Sequence, residues 1–207
     1  MGLRPSSGFA AVLAAVLALA ASPGCESTGG GEADEATALQ IRGRIESLAT
    51  LRGADLDENM RILGVIMRDT SVPLLIEALE GHSNPDVRAR CAHSLGYSQD
   101  GRAVEPLARA LSDPNDGVRY TAAYNLGLFR DGRGLPVLID ALRTGDPMNR
   151  RLGNQALKSL TGQDFGFDPV AEPEARAAAA DRWEKWYLDV GAANAGSRLL
   201  PPGSRPR

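Results

Sequence analysis

The stretch GYSQDGRAVEPLARAL (96–111) returns as GLFRDGRGLPVLIDAL (127–142), and no other feature restricts the possible folds so strongly. A 31-residue step superposes Val87 on Val118, Arg88 on Arg119, Ala92 on Ala123 and Leu95 on Leu126. It also lays Asp100-Gly101-Arg102 on Asp131-Gly132-Arg133. A second step puts Arg119 on Arg150 and Leu126 on Leu157. An earlier copy, Leu75, Ala78 and Leu79, needs a 32-residue step to reach Leu107, Ala110 and Leu111, so one loop is a residue longer. A fixed period of about 20–50 residues marks a solenoid. A unit this small cannot bury its own apolar stripe, so its stability lies in the interfaces with its neighbours.

Each unit carries two helix signals. The first is short and aliphatic (Val72, Leu75, Ala78, Leu79), with Pro73 and Pro106 expected in first turns, where a missing N–H is harmless. The second is expected to start at Asn84-Pro85, Asp113-Pro114 and Asp146-Pro147, because an Asx residue beside proline suits a helix N-terminus. Gly96 and Gly127 fall late in these helices, and Asp100-Gly101 and Asp131-Gly132 supply the turns. Three clear units follow at 72–98, 103–130 and 134–161. Before them, Leu39, Ile41, Ile45, Leu48 and Leu51 predict a helix over 37–51, with a second over 56–68. That pair is a degenerate unit of the kind found at solenoid ends. After Leu160 the period stops. A helix over 172–189 carries Trp183, Trp186 and Tyr187 on one face. It is expected to close the end of the array with Phe165 and Phe167; an aromatic ligand platform is the alternative. The expected fold is therefore all-α, a right-handed α-solenoid of about four helical hairpins with a C-terminal capping helix.

The flanks differ in composition. Residues 1–25 have the form of an export signal: Arg4 supplies the positive charge, and Phe9–Ala21 is an apolar run too short to span the roughly 20 residues a bilayer needs. Small residues then lead to Cys25. This resembles a bacterial lipoprotein signal, in which the cysteine becomes the lipidated first residue, although Ser22 stands where leucine is usual. Ala18-Leu19-Ala20 offers an ordinary signal-peptidase site instead. Residues 26–36 read as a flexible tether, 37–190 as the solenoid with its cap, and 191–207 as a disordered tail.

Charge and motif content narrow the chemistry. A formal net charge of −3 lacks the basic excess of a nucleic-acid binder. Two cysteines, Cys25 and Cys91, and two histidines are too few for a metal centre. Cys91 aligns with Ala122 and is expected in the core. Asp164-Phe165-Gly166 spells a kinase tripeptide without the loops that accompany it, and no phosphate-binding or nucleophile-elbow motif occurs. No cofactor and no catalytic residue is expected.

The segments Asn84-Pro85-Asp86-Val87-Arg88…Cys91-Ala92…Leu95-Gly96 and Gly117-Val118-Arg119…Ala122-Ala123…Leu126-Gly127 resemble HEAT repeats of the short, PBS-lyase type. The ending Leu160-Thr161-Gly162-Gln163-Asp164-Phe165-Gly166…Trp183…Trp186 looks like that of exported bacterial proteins with such repeats. Asn149-Arg150 and Gly153-Asn154 depart from the pattern in the last unit. The resemblance implies that Arg88, Arg119 and Arg150 form a structural ladder with acidic turn residues, for which Asp86, Asp113 and Asp116 are candidates. It also implies that second helices line a concave surface.

At about 100° per residue, Val118, Ala122, Leu126 and Phe129 cluster on one side of their helix, and Tyr120 and Tyr124 fall opposite. The equivalent positions are Ala89 and His93 in the unit before and Arg151 and Gln155 in the unit after. His93, Tyr97, Tyr120, Tyr124, Arg151 and Gln155 therefore form a candidate protein-binding stripe, with Tyr120 and Tyr124 expected exposed one turn apart. Tyrosine and arginine are enriched at binding hot spots. The expected function is a non-enzymatic protein–protein interaction scaffold in the bacterial cell envelope, tied to a membrane only through Cys25. The alternative implied by the resemblance is a phycobilin-lyase-like enzyme or accessory subunit.

Overall fold

A computed structural model describes residues 30–191. The chain divides into two units, Met1–Ala36 and Thr37–Arg207. The leader read over 1–25, with Cys25, lies outside the described residues, as do 192–207.

Every regular element among the described residues is helical. The helices are α1 (Gly30–Ser47), α2 (Gly53–Arg61), α3 (Arg68–Gly81), α4 (Pro85–Ser98), α5 (Val104–Arg109), α6 (Asp116–Leu128), α7 (Leu135–Ala141), α8 (Pro147–Thr161) and α9 (Pro173–Trp186). Single π-helical turns, Ile62–Ile66 and Tyr187–Gly191, extend α2 and α9. Short 3₁₀ turns flank α5 and precede α7. From Thr37, within α1, the second unit is thus a solenoid of the hairpins formed by the rest of α1 with α2, by α3–α4, by α5–α6 and by α7–α8, followed by α9.

Three sequence expectations change at the helix starts. The tether read over 26–36 is helical from Gly30, consistent with strong helix formers such as Glu35, Ala36 and Ala38. Pro73 lies inside α3 rather than in its first turn, because the helix begins already at Arg68. Asn115, not Asp113, caps α6: its Oδ1 accepts from the Val118 N–H at 3.3 Å. Asp113 is engaged elsewhere, by the Asn115 N–H and by the Arg88 guanidinium. Asn84 and Asp146 do cap α4 and α8, accepting from the Asp86 and Met148 N–H groups at 2.9 Å each.

Neighbouring units meet tightly at glycines of the second helices. A Cβ on Gly96 would fall 1.7 Å from Asn125 Oδ1, and one on Gly127 2.2 Å from Leu160 Cδ1. Gly64 occupies the same place in the degenerate unit, where a Cβ would lie 2.3 Å from the Ser94 carbonyl oxygen. The first helices are joined differently, by exposed ion pairs from unit to unit: Arg42–Glu77, Arg109–Glu80, Arg133–Glu105, and Arg143 to Asp181 and Glu184 on α9. Pairs this exposed contribute about 0–1 kcal/mol each, so they align units more than they hold them.

The core forms two clusters. One runs from Ile41 to Leu126 and includes Cys91. The other runs from Ala123 to Trp183. They meet at α6, whose Ala122 and Leu126 belong to the first and Ala123 to the second. Trp183 is fully buried and packs edge-on against Phe165 at 4.7 Å and Trp186 at 5.8 Å between centroids. Phe167 is buried in the same cluster. The aromatic residues after Leu160 are therefore committed to closing the array, and Trp183 presents no open platform.

Candidate functional site

The recurrent arginines share one geometry. Nη1 of Arg88 donates to the His82 and Ser83 carbonyls, Nη1 of Arg119 to those of Asp113 and Pro114, and Nη1 of Arg150 to those of Thr144 and Gly145. Each guanidinium thus satisfies the carbonyls that precede its own second helix, which would otherwise lack intrahelical donors. The remaining donors differ from unit to unit. Arg88 makes a two-point contact with Asp113, at 2.8 Å for both bonds. Arg119 reaches Asp116 at 2.6 Å. Among the described residues Arg150 reaches no carboxylate, and its Nε donates to the Pro169 carbonyl. Asp86, a candidate acceptor, receives no bond from Arg88 here; its own N–H donates to Asn84. Acids therefore occupy two rungs and a backbone carbonyl the third.

A groove of about 300 Å³ opens along the second helices. Its walls come from three units: His93 on α4; Tyr120, Thr121 and Tyr124 on α6; Leu138 on α7; and Asn149, Leu152, Gly153 and Gln155 on α8. The groove gathers four residues of the proposed stripe, namely His93, Tyr120, Tyr124 and Gln155. Tyr97 and Arg151 are not among its lining residues. Tyr97 instead packs edge-on against the His93 ring at 4.8 Å. The expectation of two exposed tyrosines fails for Tyr120, which is only 8% exposed, whereas Tyr124 is 37% exposed. Tyr120 shares the groove lining with residues of α7 and α8, and the Arg119 guanidinium lies 6.0 Å from its ring centroid. A Cβ on Gly153 would sit 3.0 Å from both Ala141 Cβ and the Leu138 carbonyl oxygen, so the absent side chain lets α8 approach α7.

Leu152 was the residue that periodicity could have supplied. It is 54% exposed, one turn after the exposed Met148 and off the stripe formed by Gly153, Ala156, Leu157 and Leu160. An apolar pair on the wrong face of an amphipathic helix is a visible signal. Leu138 carries no such signal: it reads as core, and it lines the groove only through the tertiary fold.

The lining suits an uncharged ligand. No Asp, Glu, Lys or Arg contributes to it. Burial lowers the pKa of His93, outweighing the opposite influence of Asp57, so the imidazole is neutral near pH 7. Two phenols, two amides, a threonine hydroxyl and two leucines remain, a mix of apolar contact and convergent hydrogen-bonding groups. The Cys91 thiol is fully buried, and burial, followed by the Glu46 carboxylate, pushes its pKa up to about 12. A thiol in that state is not a nucleophile. Among the described residues, no three His, Cys, Asp or Glu side chains are grouped to hold a metal ion. No described helix is long and apolar enough to cross a membrane.

Residues 72–158 match the family model for HEAT repeats. No curated protein matches the chain.

Proposed function

We propose that the HEAT repeats in this chain form a non-enzymatic scaffold that docks a partner protein along the second helices. The uncharged aromatic groove, built from three successive units, carries this reading. A groove shared among units exists only in the stacked array, as expected where binding is the purpose of stacking. No cation lines it, so it offers little to the carboxylates of a bilin, and no observation favours the lyase alternative.

Tyr124 and Leu152 are the residues to test, because both are exposed and neither supports the core. Truncating a hot-spot side chain costs about 2 kcal/mol. Tyr124→Ala with Leu152→Ala is therefore expected to weaken partner capture by at least about tenfold, with an unchanged thermal melt. Capture is measured from native envelope extracts by cross-linking and mass spectrometry. Wild-type recovery of the same partner by the double variant would remove the groove from the docking face.

The same reading places the protein in the bacterial cell envelope, exported by residues 1–25 and anchored by a lipid on Cys25. The support is the sequence of the leader: Arg4, the short apolar run and the small residues before Cys25. Cys25→Ser is expected to move the protein from the membrane to the soluble fraction and abolish the lipid mass. A wild-type protein that is already soluble, with no lipid mass on Cys25, contradicts the anchor.

A further inference from the structure

We infer that the groove seats a neutral sugar, its C–H face against the Tyr124 ring and Leu152 and its hydroxyls bonded to Thr121, Asn149 and Gln155. The inference rests on the groove being a docking site and names the chemistry of what enters it, a ring carried by the partner or one that arrives free.

The first observation is unused hydrogen-bonding capacity. Among the described residues, the side chains of His93, Thr121, Tyr124, Asn149 and Gln155 make no hydrogen bond to the protein, and all five line the groove. The Tyr120 hydroxyl has the Arg119 guanidinium beside it, which can only donate, so the phenol proton stays available. Other polar side chains of the second helices are committed to the backbone. Ser94 donates to the Arg90 carbonyl, Ser98 to that of Leu95, Asn125 to that of Thr121 and Asn154 to that of Phe167. Two other hollows on the solenoid satisfy themselves with ion pairs. Arg109 meets Glu80 and Asp113 meets Arg88 at one, and Arg42 meets Glu77 and His82 meets Glu46 at the other.

The second observation is the kind of group left over. Hydroxyl, phenol, amide and neutral imidazole each donate and accept. A carboxylate or phosphate only accepts and calls for a cation; an ammonium only donates and calls for an acid. The lining holds neither. Sugar hydroxyls donate and accept at once and carry no charge, so they match the groove in charge as well as in hydrogen bonding. A hydrocarbon ligand would leave the same groups unpaired and cut off from water, at a cost in free energy.

The third observation is shape. The polar groups come from α4, α6 and α8 and converge on about 300 Å³, the small end of the range for ligand sites. A ring with hydroxyls around its rim meets groups arriving from three helices, whereas an extended strand sets out its amides along a line. Tyr124 and Leu152 are exposed and supply the apolar contact. The negative face of an aromatic ring suits the slightly positive C–H groups of a sugar.

The test is saturation-transfer difference NMR on the full chain, titrated with maltose, cellobiose, lactose and N,N′-diacetylchitobiose. Deacetylated chitobiose and digalacturonate serve as cationic and anionic controls. Each sugar hydroxyl exchanges a bond to water for one to the protein, so net gains are small. At least one neutral disaccharide is expected to bind with a Kd on the order of 0.1–1 mM. The charged controls should bind at least about tenfold more weakly, since a charge in this lining finds no counter-ion. Tyr124→Ala should weaken the bound sugar at least about tenfold and Gln155→Ala about three- to tenfold, with unchanged thermal melts. No binding of any neutral disaccharide, equal binding of the charged controls, or binding indifferent to Tyr124→Ala overturns the proposal. Partner capture is scored separately. Capture that needs Tyr124 without sugar binding keeps the docking face and removes the sugar. Sugar binding that needs Tyr124, with capture indifferent to it, keeps the sugar and removes the docking face. Where both need Tyr124, loss of capture from a glycosidase-treated extract assigns the ring to the partner, and unchanged capture assigns it to a free saccharide.

Discussion

Trp183→Ala is expected to destabilise the solenoid by about 3–5 kcal/mol, the range for a large buried aromatic residue cut to alanine. For a folded region of roughly 150 residues this is a fall in melting temperature on the order of 10 °C. Trp183 is the largest fully buried side chain, and Phe165 and Trp186 both meet its ring edge-on. One term opposes: the buried indole Nε1 finds no hydrogen-bond acceptor among the described residues. An unsatisfied buried donor costs about 1–3 kcal/mol, so its removal returns part of the loss. Trp183→Phe separates the two effects, because it keeps an aromatic ring and deletes the orphan donor, and its loss should be clearly smaller than that of alanine. The measurement is a thermal melt followed by circular dichroism. A melt unchanged by Trp183→Ala would show that α9 does not hold the end of the array.

The second large effect is expected at Asp113. Its pair with Arg88 joins two units and is the most enclosed in the solenoid, with side chains 12% and 10% exposed. Removing one partner of a buried pair leaves a stranded charge and costs about 3–5 kcal/mol. Arg88 keeps the His82 and Ser83 carbonyls, so about 3 kcal/mol is expected for Asp113→Ala. Glu105→Ala, which breaks an exposed pair with Arg133, should cost under about 1 kcal/mol. The pH dependence has a definite sign. Hydrogen bonding from Arg88 holds the Asp113 carboxyl below its usual range, and Arg102 does the same for Asp100, whose pKa is about 2. A carboxyl depressed in the folded state contributes fully above its unfolded pKa of about 3.9, and the contribution is lost as pH falls through the folded value. The melting temperature should therefore be flat from neutral pH to about 5 and fall below about 4. Asp113→Asn should flatten part of that acid limb. An acid limb of wild-type steepness in Asp113→Asn would show that the pair does not titrate with folding.

The fold was legible because its period is written in residue identities. Val87 over Val118 and Leu95 over Leu126 give the helices and their buried faces, and Cys91 over Ala122 places a thiol in the core. The degenerate first unit could also have been fixed, since Gly64 precedes Gly96 by the same 32-residue step that relates Leu75 to Leu107. The groove was legible only in part. Helical angle separates Tyr120 and Tyr124 from the core stripe, but it takes no account of what a neighbouring unit lays over them. Tyr120 is buried where α6 and α8 line one groove, and Gly153, a departure from the repeat pattern, lets α8 approach α7 beside it. Arg150 shows the same limit: its position in the period was plain, but its last acceptor is the Pro169 carbonyl in the loop before the cap, which no repeat encodes.

The contact from each guanidinium to two carbonyls of its own hairpin has a consequence for how such an array grows. Arg88, Arg119 and Arg150 each close the turn of the unit that contains them, with donors and acceptors five and six residues apart. A duplicated unit therefore arrives with its turn already satisfied, and the new junction needs only matching glycine and leucine surfaces. The further link differs from unit to unit, a carboxylate of the next unit at Arg88 and the Pro169 carbonyl at Arg150, so it adds to a particular junction without being needed to close a turn. Gene duplication can therefore lengthen or shorten such an array by whole units without opening a turn, while α9 closes the end with aromatic residues that the period does not carry.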